Sequence, residues 1–160
     1  MDTLAYEEAL RRFHAALASA PSKGFVRSST YRIGDGYSDW YLVESSAALD
    51  WLNATAVSGA RTTAHDAAAR MAVDGSGKLF SLATGEPSYG PGFEVRFAKP
   101  PAVTYADLYA RLQPWTTLPG ASLWRRMMVL GPPPEFCLVV PSAVELPGEM
   151  RPEVLSREPI

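Results

Sequence analysis

The sequence predicts an α+β fold, in which an antiparallel sheet carries helices on one of its faces. Segments with the apolar spacing of helices alternate with short segments that are rich in β-branched and aromatic residues. A helix, two strands and a Ser-Ala pair also occur twice in the same order, because residues 5–49 resemble residues 104–146. For example, Trp40-Tyr41-Leu42-Val43 aligns with Phe136-Cys137-Leu138-Val139. This recurrence predicts two similar halves that arose by an internal duplication.

The first half begins with a predicted helix over residues 3–19, whose apolar residues recur on one face while charged residues occupy the rest. A cluster of helix breakers at residues 20–24 ends it. Strands at 25–33 and 39–44 then form a predicted hairpin, because Gly34-Asp35-Gly36 between them favours a turn.

The middle of the chain is predicted to contain two helices and two strands. Thr63 followed by Asp66 resembles a capping box and predicts the start of the second helix. The loop at 85–92 is rich in Gly and Pro, so we expect a mobile flap there. These elements are a helix that ends before Gly59, a helix at 64–73, and strands at 78–83 and 93–98.

The second half repeats the pattern of the first. Thr104 with Asp107 predicts a helix start, and two strands follow that helix. From Pro147 onward Pro, Glu and Arg dominate, which favours an extended tail. We therefore expect one α+β domain over residues 1–146 and a C-terminal tail over residues 147–160. The elements of this half are a helix at 104–113 and strands at 122–130 and 136–140.

This order of elements is similar to that of the dimeric α+β barrel superfamily, and the resemblance covers most of the chain. In that superfamily two ferredoxin-like halves close around a cavity for a small molecule. The resemblance therefore implies a central cavity between the two halves of this chain.

Composition restricts the classes of function. The chain has 160 residues, of which 47% are hydrophobic, and a net charge of −2. No basic stripe, signal peptide or long apolar segment is present, so we expect neither nucleic acid nor a membrane as a partner and predict a cytoplasmic protein. The sequence has no phosphate-binding or zinc motif, and two histidines with one cysteine supply few metal ligands. No cofactor is predicted, and Cys137 is expected to be a buried strand thiol.

His65 is the best candidate for catalysis. The cap predicted at Thr63 places it in the first turn of a helix, where the helix dipole disfavours an imidazolium. A neutral imidazole there could act as a base, whereas the alternative is a partly exposed histidine at a helix start. Haem ligation by His65 is a third interpretation. Asp66 is expected to pair with Arg70 instead of His65, and His14 is expected at the surface or its boundary.

Arginines on strands are the second clue to function. Arg125 and Arg126 are neighbours on an otherwise apolar strand, so one of them should point inward and needs an anionic partner. Arg27 occupies the matching place in the first half, and a pseudo-twofold fold would bring Arg27 and Arg125 toward one cavity. The alternative is an ion pair with an internal carboxylate. Trp40 and Tyr41 suit either the wall of an apolar cavity or ordinary core packing.

These residues predict a cavity that binds or transforms a small anionic, partly apolar molecule. His65 would be the base, and Arg27, Arg125, Tyr41 and Trp40 would contact the ligand. The alternative is a non-catalytic interaction module that assembles through a sheet face or a strand edge. We expect a homo-oligomer.

Overall fold

The computed structural model describes residues 2–160, and its fold is α+β, as predicted. The chain divides into two compact units. The first consists of residues through Arg32, residues 36–75 and Ile160, and the second consists of residues 33–35 and 76–159. The domain over residues 1–146 and the tail over residues 147–160 stay predictions.

The first unit is built from three α-helices and a pair of neighbouring strands among its described residues. Asp2 caps the first helix, because its Oδ1 accepts hydrogen bonds from the backbone N–H groups of Leu4 at 3.1 Å and Ala5 at 3.2 Å. The elements of this unit are α1 (Thr3–Ser19), β1 (Phe25–Ile33), β2 (Gly36–Val43), α2 (Ala48–Ala56), a 3-10 helix (Gly59–Arg61) and α3 (Thr62–Ala69). Ile33, the last residue of β1, is assigned to the second unit.

Small residues allow α1 and α3 to pack closely. Ala9 of α1 and Ala68 of α3 are both buried and belong to one apolar cluster with Tyr6 and Leu10. A second cluster, in which α1 meets α2, contains Phe13, Leu17 and Leu52. The apolar face that predicts α1 is therefore its buried face.

Glu7 joins α1 to the strands through a buried carboxylate. Its side chain is fully buried, and its Oε2 accepts a hydrogen bond from Arg32 Nη2 at 2.7 Å. The hydroxyl of Tyr37 donates to Glu7 Oε1 at 3.0 Å. The hydrogen bonds from Arg32 are the main reason that the pKa of Glu7 lies below its usual value. The ionised carboxylate is thus part of the fold.

The second unit is an antiparallel sheet with one α-helix on it. Its strands are ordered β7-β4-β6-β5-β3, and each neighbouring pair is antiparallel. Its elements are β3 (Phe80–Gly85), β4 (Gly92–Phe97), α4 (Tyr105–Thr116), β5 (Ser122–Arg126), β6 (Phe136–Val140), a 3-10 helix (Gly148–Met150) and β7 (Glu153–Pro159).

Helix α4 covers one face of this sheet. Leu108 and Leu112 are fully buried in a cluster with apolar residues of β4, β5 and β6. Within that cluster the rings of Phe97 and Phe136 stack, with their centroids 5.2 Å apart. The strand residues that alternate with these, including Glu94 and Cys137, are on the opposite face, and both are buried.

Several boundaries differ from the predictions. Strand β5 ends at Arg126 instead of residue 130, because the chain turns there and Met128 adopts a left-handed φ of 51°. Helix α3 covers Thr62–Ala69, not 64–73. Part of the predicted tail is strand β7, which is held by pairing with β4.

The order helix, strand, strand is present twice, as α1-β1-β2 and α4-β5-β6. The duplication itself stays a prediction. No helix within residues 2–160 combines the length and the apolar character that crossing a membrane requires.

Candidate functional site

A cavity of about 580 Å³ lies in the first unit among α1, β2, α2 and α3. Small side chains on one wall, Ala68 and Ala69 of α3 and Ala72 after it, leave this space open. Tyr41 and Val57 of the lining are 38% and 48% exposed, so the cavity opens to solvent. Its aromatic and ionisable lining residues are Tyr6, Phe13, Asp39, Tyr41, Asp50 and His65.

Two residues of the predicted site, His65 and Tyr41, line this one cavity. Phe13 of α1 is next to both. Its ring meets His65 edge-on, with centroids 5.5 Å apart and an interplanar angle of 71°. The ring of Tyr41 is 6.5 Å from Phe13. Three elements that are distant in the sequence therefore place aromatic rings on one apolar wall.

Asp39 is the carboxylate on the β2 side of the cavity. Its Oδ1 accepts a hydrogen bond from Thr30 Oγ1 at 2.6 Å, and the Tyr41 hydroxyl also donates to Asp39. Removal of the phenol from water, with a smaller contribution from the negative charge of Asp39, raises the pKa of Tyr41. The Tyr41 phenol thus stays protonated and remains a donor, which holds the carboxylate in place.

A chain of hydrogen bonds connects Asp39 to His14 and Ser28. Because the Thr30 hydroxyl donates to Asp39, its oxygen accepts from His14 Nε2, which is 2.6 Å away. On the other side of the ring, Ser28 Oγ is 2.6 Å from His14 Nδ1. The bond to Thr30 places a proton on Nε2. His14 also stacks on Tyr41, with centroids 5.5 Å apart at an angle of 23°.

His14 lies at the boundary between surface and interior, one of the two places that the sequence indicated for it. Its side chain is only 12% exposed, because it faces β1 from α1 and meets a strand face that carries hydroxyl groups. The signal that could have located this network is the alternation of Ser28, Thr30 and Arg32 on β1, which places three polar side chains on the face toward α1.

Asp66 has a different partner from the one predicted. Its Oδ1 is 3.1 Å from His65 Nδ1, so these neighbours on α3 do form a pair. Asp66 is not a capping residue, because α3 starts at Thr62 and Arg61 before it makes no side-chain cap. His65 is the fourth residue of α3, not the second as a cap at Thr63 would make it.

Trp40 and Arg27, the other two predicted site residues of the first unit, lie on the strand face opposite to the one that carries Asp39 and Tyr41. Trp40 alternates with Asp39 and Tyr41 on β2, and its Nε1 donates to Ser38 Oγ at 3.1 Å. Arg27 is exposed on β1 and alternates with Ser28. Neither Trp40 nor Arg27 belongs to the cavity lining in the described part of the chain.

Arg125 belongs to the second unit, where it has partners of its own. Its guanidinium carbon is 3.8 Å from the centroid of the Tyr105 ring, and its Nε is 3.4 Å from Glu135 Oε1. Arg126 is also engaged, because its Nη1 donates to the carbonyl of Gly131 at 2.6 Å. Arg125 thus has an internal carboxylate as a partner, whereas the partner of Arg126 is a backbone carbonyl.

A buried polar cluster on β4 and β6 of the second unit does not provide a nucleophile. Glu94 is 1% exposed and accepts a hydrogen bond from Arg96 Nη2 at 2.9 Å. Cys137 Sγ is 4.0 Å from Glu94 Oε2. Burial, followed by the charge of Glu94, raises the pKa of the Cys137 thiol well above its usual value, so the thiol stays neutral. Cys137 is the buried strand thiol that the sequence predicts.

A protein metal site needs several His, Cys, Asp or Glu side chains close together. Within residues 2–160, no three His, Cys, Asp or Glu side chains come together as a metal site would require. The cavity instead combines an apolar wall with a few fixed polar groups.

Compared with models of protein families, with curated proteins and with solved structures, the chain matches none of them.

Proposed function

We propose that the first unit binds a small, partly apolar molecule in its cavity. One observation carries this proposal: a space of about 580 Å³, open to solvent, has mostly apolar walls and only a few polar side chains. Cavities of roughly 300–1,000 Å³ with such walls are typical binding sites for small molecules.

The polar groups of the cavity are held in place before any ligand arrives. Asp39 is fixed by Thr30 and Tyr41, and His65 by Asp66. Groups that need not rearrange on binding favour affinity, because less conformational freedom is lost. His65 stays a predicted base, and binding is the function proposed.

The experiment compares two tryptophan substitutions on α3. Ala69→Trp would place an indole in the cavity, whereas Ala67→Trp would place one at an exposed position outside the lining. Ligand-observed NMR with a library of neutral, cationic and anionic aromatic fragments would measure binding to each variant. Fragments should bind the wild type and Ala67→Trp and lose most of their signal with Ala69→Trp. If no fragment binds the wild type, or if Ala69→Trp binds as well as Ala67→Trp, the proposal is wrong.

A second candidate function, assembly with other chains, is supported by a feature of the second unit. Met128, Val129 and Leu130 are three consecutive apolar residues that are 85%, 80% and 49% exposed. Exposed apolar runs are a mark of interaction sites. Analytical ultracentrifugation would test this candidate: a concentration-dependent oligomer that Met128→Ser and Val129→Ser abolish supports it, and a monomer up to about 100 μM contradicts it.

A further inference from the structure

The charges on the walls of the cavity indicate what kind of ligand it takes. Asp39 and Asp50 both line it, and within the described residues its lining includes no lysine or arginine. An anion would meet two carboxylates here and no fixed positive side chain. A positively charged group would instead find an opposite charge in an apolar setting, where attraction between charges is stronger than in water.

Asp39 is the better anchor of the two acids. It is 29% exposed on its side chain, and its nearest basic group in the described part of the chain is His14 Nε2 at 3.8 Å. That nitrogen donates to Thr30, and within residues 2–160 no salt bridge joins Asp39 to an arginine or lysine. Both acids are exposed residues, but Asp50 lies in the first turn of α2, where the helix dipole already compensates its charge.

Aromatic residues line the same cavity as Asp39. They are Tyr6, Phe13 and Tyr41. The rings of Phe13 and Tyr41 are 6.5 Å apart, and those of Phe13 and His65 are 5.5 Å apart. The faces of aromatic rings attract ammonium groups, most strongly where water is excluded.

We infer that the ligand of this cavity is an organic cation, an ammonium group carried on an apolar body. The ammonium would pair with Asp39, and the apolar body would lie against Phe13 and the alanines of α3. This inference rests on the proposed function and adds the chemical class of the ligand. It differs from the anionic ligand expected from the sequence, which depended on Arg27 and Arg125.

The test uses three probes that share one apolar body and differ in charge: 3-phenylpropylamine, 3-phenylpropanol and 3-phenylpropanoate. Their dissociation constants would be measured by NMR titration of the wild type at neutral pH. We expect the amine to bind about tenfold more tightly than the alcohol, or better, and the propanoate to bind most weakly.

Two substitutions with a matched control locate the effect. Asp39→Asn keeps an acceptor for Thr30 but removes the charge, so the advantage of the amine over the alcohol should disappear. Glu44→Gln removes the same charge from an exposed position of the first unit outside the lining and should leave that advantage unchanged. Phe13→Leu keeps an apolar side chain but removes the ring, so it should weaken the binding of the amine more than the binding of the alcohol.

The outcomes separate this inference from the proposed function. If the alcohol or the propanoate binds as tightly as the amine, and Ala69→Trp blocks that binding, the cavity is a binding site but not for cations. Unchanged amine affinity in Asp39→Asn would also overturn the inference. If none of the three probes binds the wild type, this inference fails, whereas the proposed function fails only if the whole fragment library also shows no binding.

Discussion

Thr30→Val tests the hydrogen-bond chain that holds Asp39. Thr30 is 5% exposed, and its hydroxyl makes two hydrogen bonds of 2.6 Å, one to Asp39 and one with His14. Valine has nearly the same shape, so the substitution removes the hydroxyl without opening a cavity. The imidazole N–H of His14 and the carboxylate of Asp39 would each lose one hydrogen-bond partner.

The size of the loss follows from those two bonds. A hydrogen bond to a charged group contributes about 1.5–3 kcal/mol and one between neutral groups about 1 kcal/mol, so we expect Thr30→Val to lower the free energy of unfolding by about 3 kcal/mol. Thr30→Ser is the matched control, because it keeps the hydroxyl and removes one methyl group. Its expected cost is about 1 kcal/mol.

Urea unfolding at pH 7, followed by far-UV circular dichroism, would measure both variants. With a slope of about 2 kcal/mol per molar urea, the midpoint should fall by about 1.5 M for Thr30→Val and about 0.5 M for Thr30→Ser. The slope should not change. A loss for Thr30→Val no greater than that for Thr30→Ser would show that the hydroxyl contributes nothing and would refute the reasoning.

Three other predictions concern stability, pH and reactivity. Gly85→Ala should destabilise the protein by at least about 2 kcal/mol more than Gly120→Ala in the same urea assay. Both glycines have positive φ, of 84° and 75°, but a Cβ at Gly85 would lie 2.1 Å from the carbonyl oxygen of Ala121, whereas Gly120 faces open space; equal losses would contradict this. The lowered pKa of Glu7 gives stability that is fully present above the ordinary pKa of about 4.3 and is lost as pH falls through the lower folded value. Glu7→Gln should therefore flatten the dependence of stability on pH in the acid range, and unchanged slopes would argue against a role for the carboxylate. Cys137, 1% exposed and with a raised thiol pKa, should react with Ellman's reagent at pH 8 only after denaturation, so rapid labelling of the native protein would count against this burial.

The parts of the fold that the sequence predicts best are those with a local cause. Helix α1 was predictable because its apolar residues recur on one face, and β1 because a turn follows a run of β-forming residues. Strand β7 was not, because its sequence is rich in Pro and Glu and what holds it is the backbone pairing of Glu153–Pro159 with β4. Such pairing is set by a distant segment and leaves no local pattern.

The same distinction applies to the site. His65 and Tyr41 have local signals, a helix start and an aromatic residue on a strand, and both line the cavity. Asp39 is predicted only as the first residue of a strand, and its role depends on Thr30 and His14, which other elements bring to it. The ferredoxin-like resemblance and the homo-oligomer stay predictions.

Ile160 has a consequence for how the protein is made. This residue belongs to the first unit, where it packs beside the cluster around Leu10 and its backbone N–H donates to the carbonyl of Thr30 at 3.2 Å. A ribosome that has synthesised residues 2–75 has therefore not yet supplied every part of this unit. The cavity-bearing unit can reach its final form only after the second unit has also been translated, so a fragment cut after residue 75 would lack one of its own contacts.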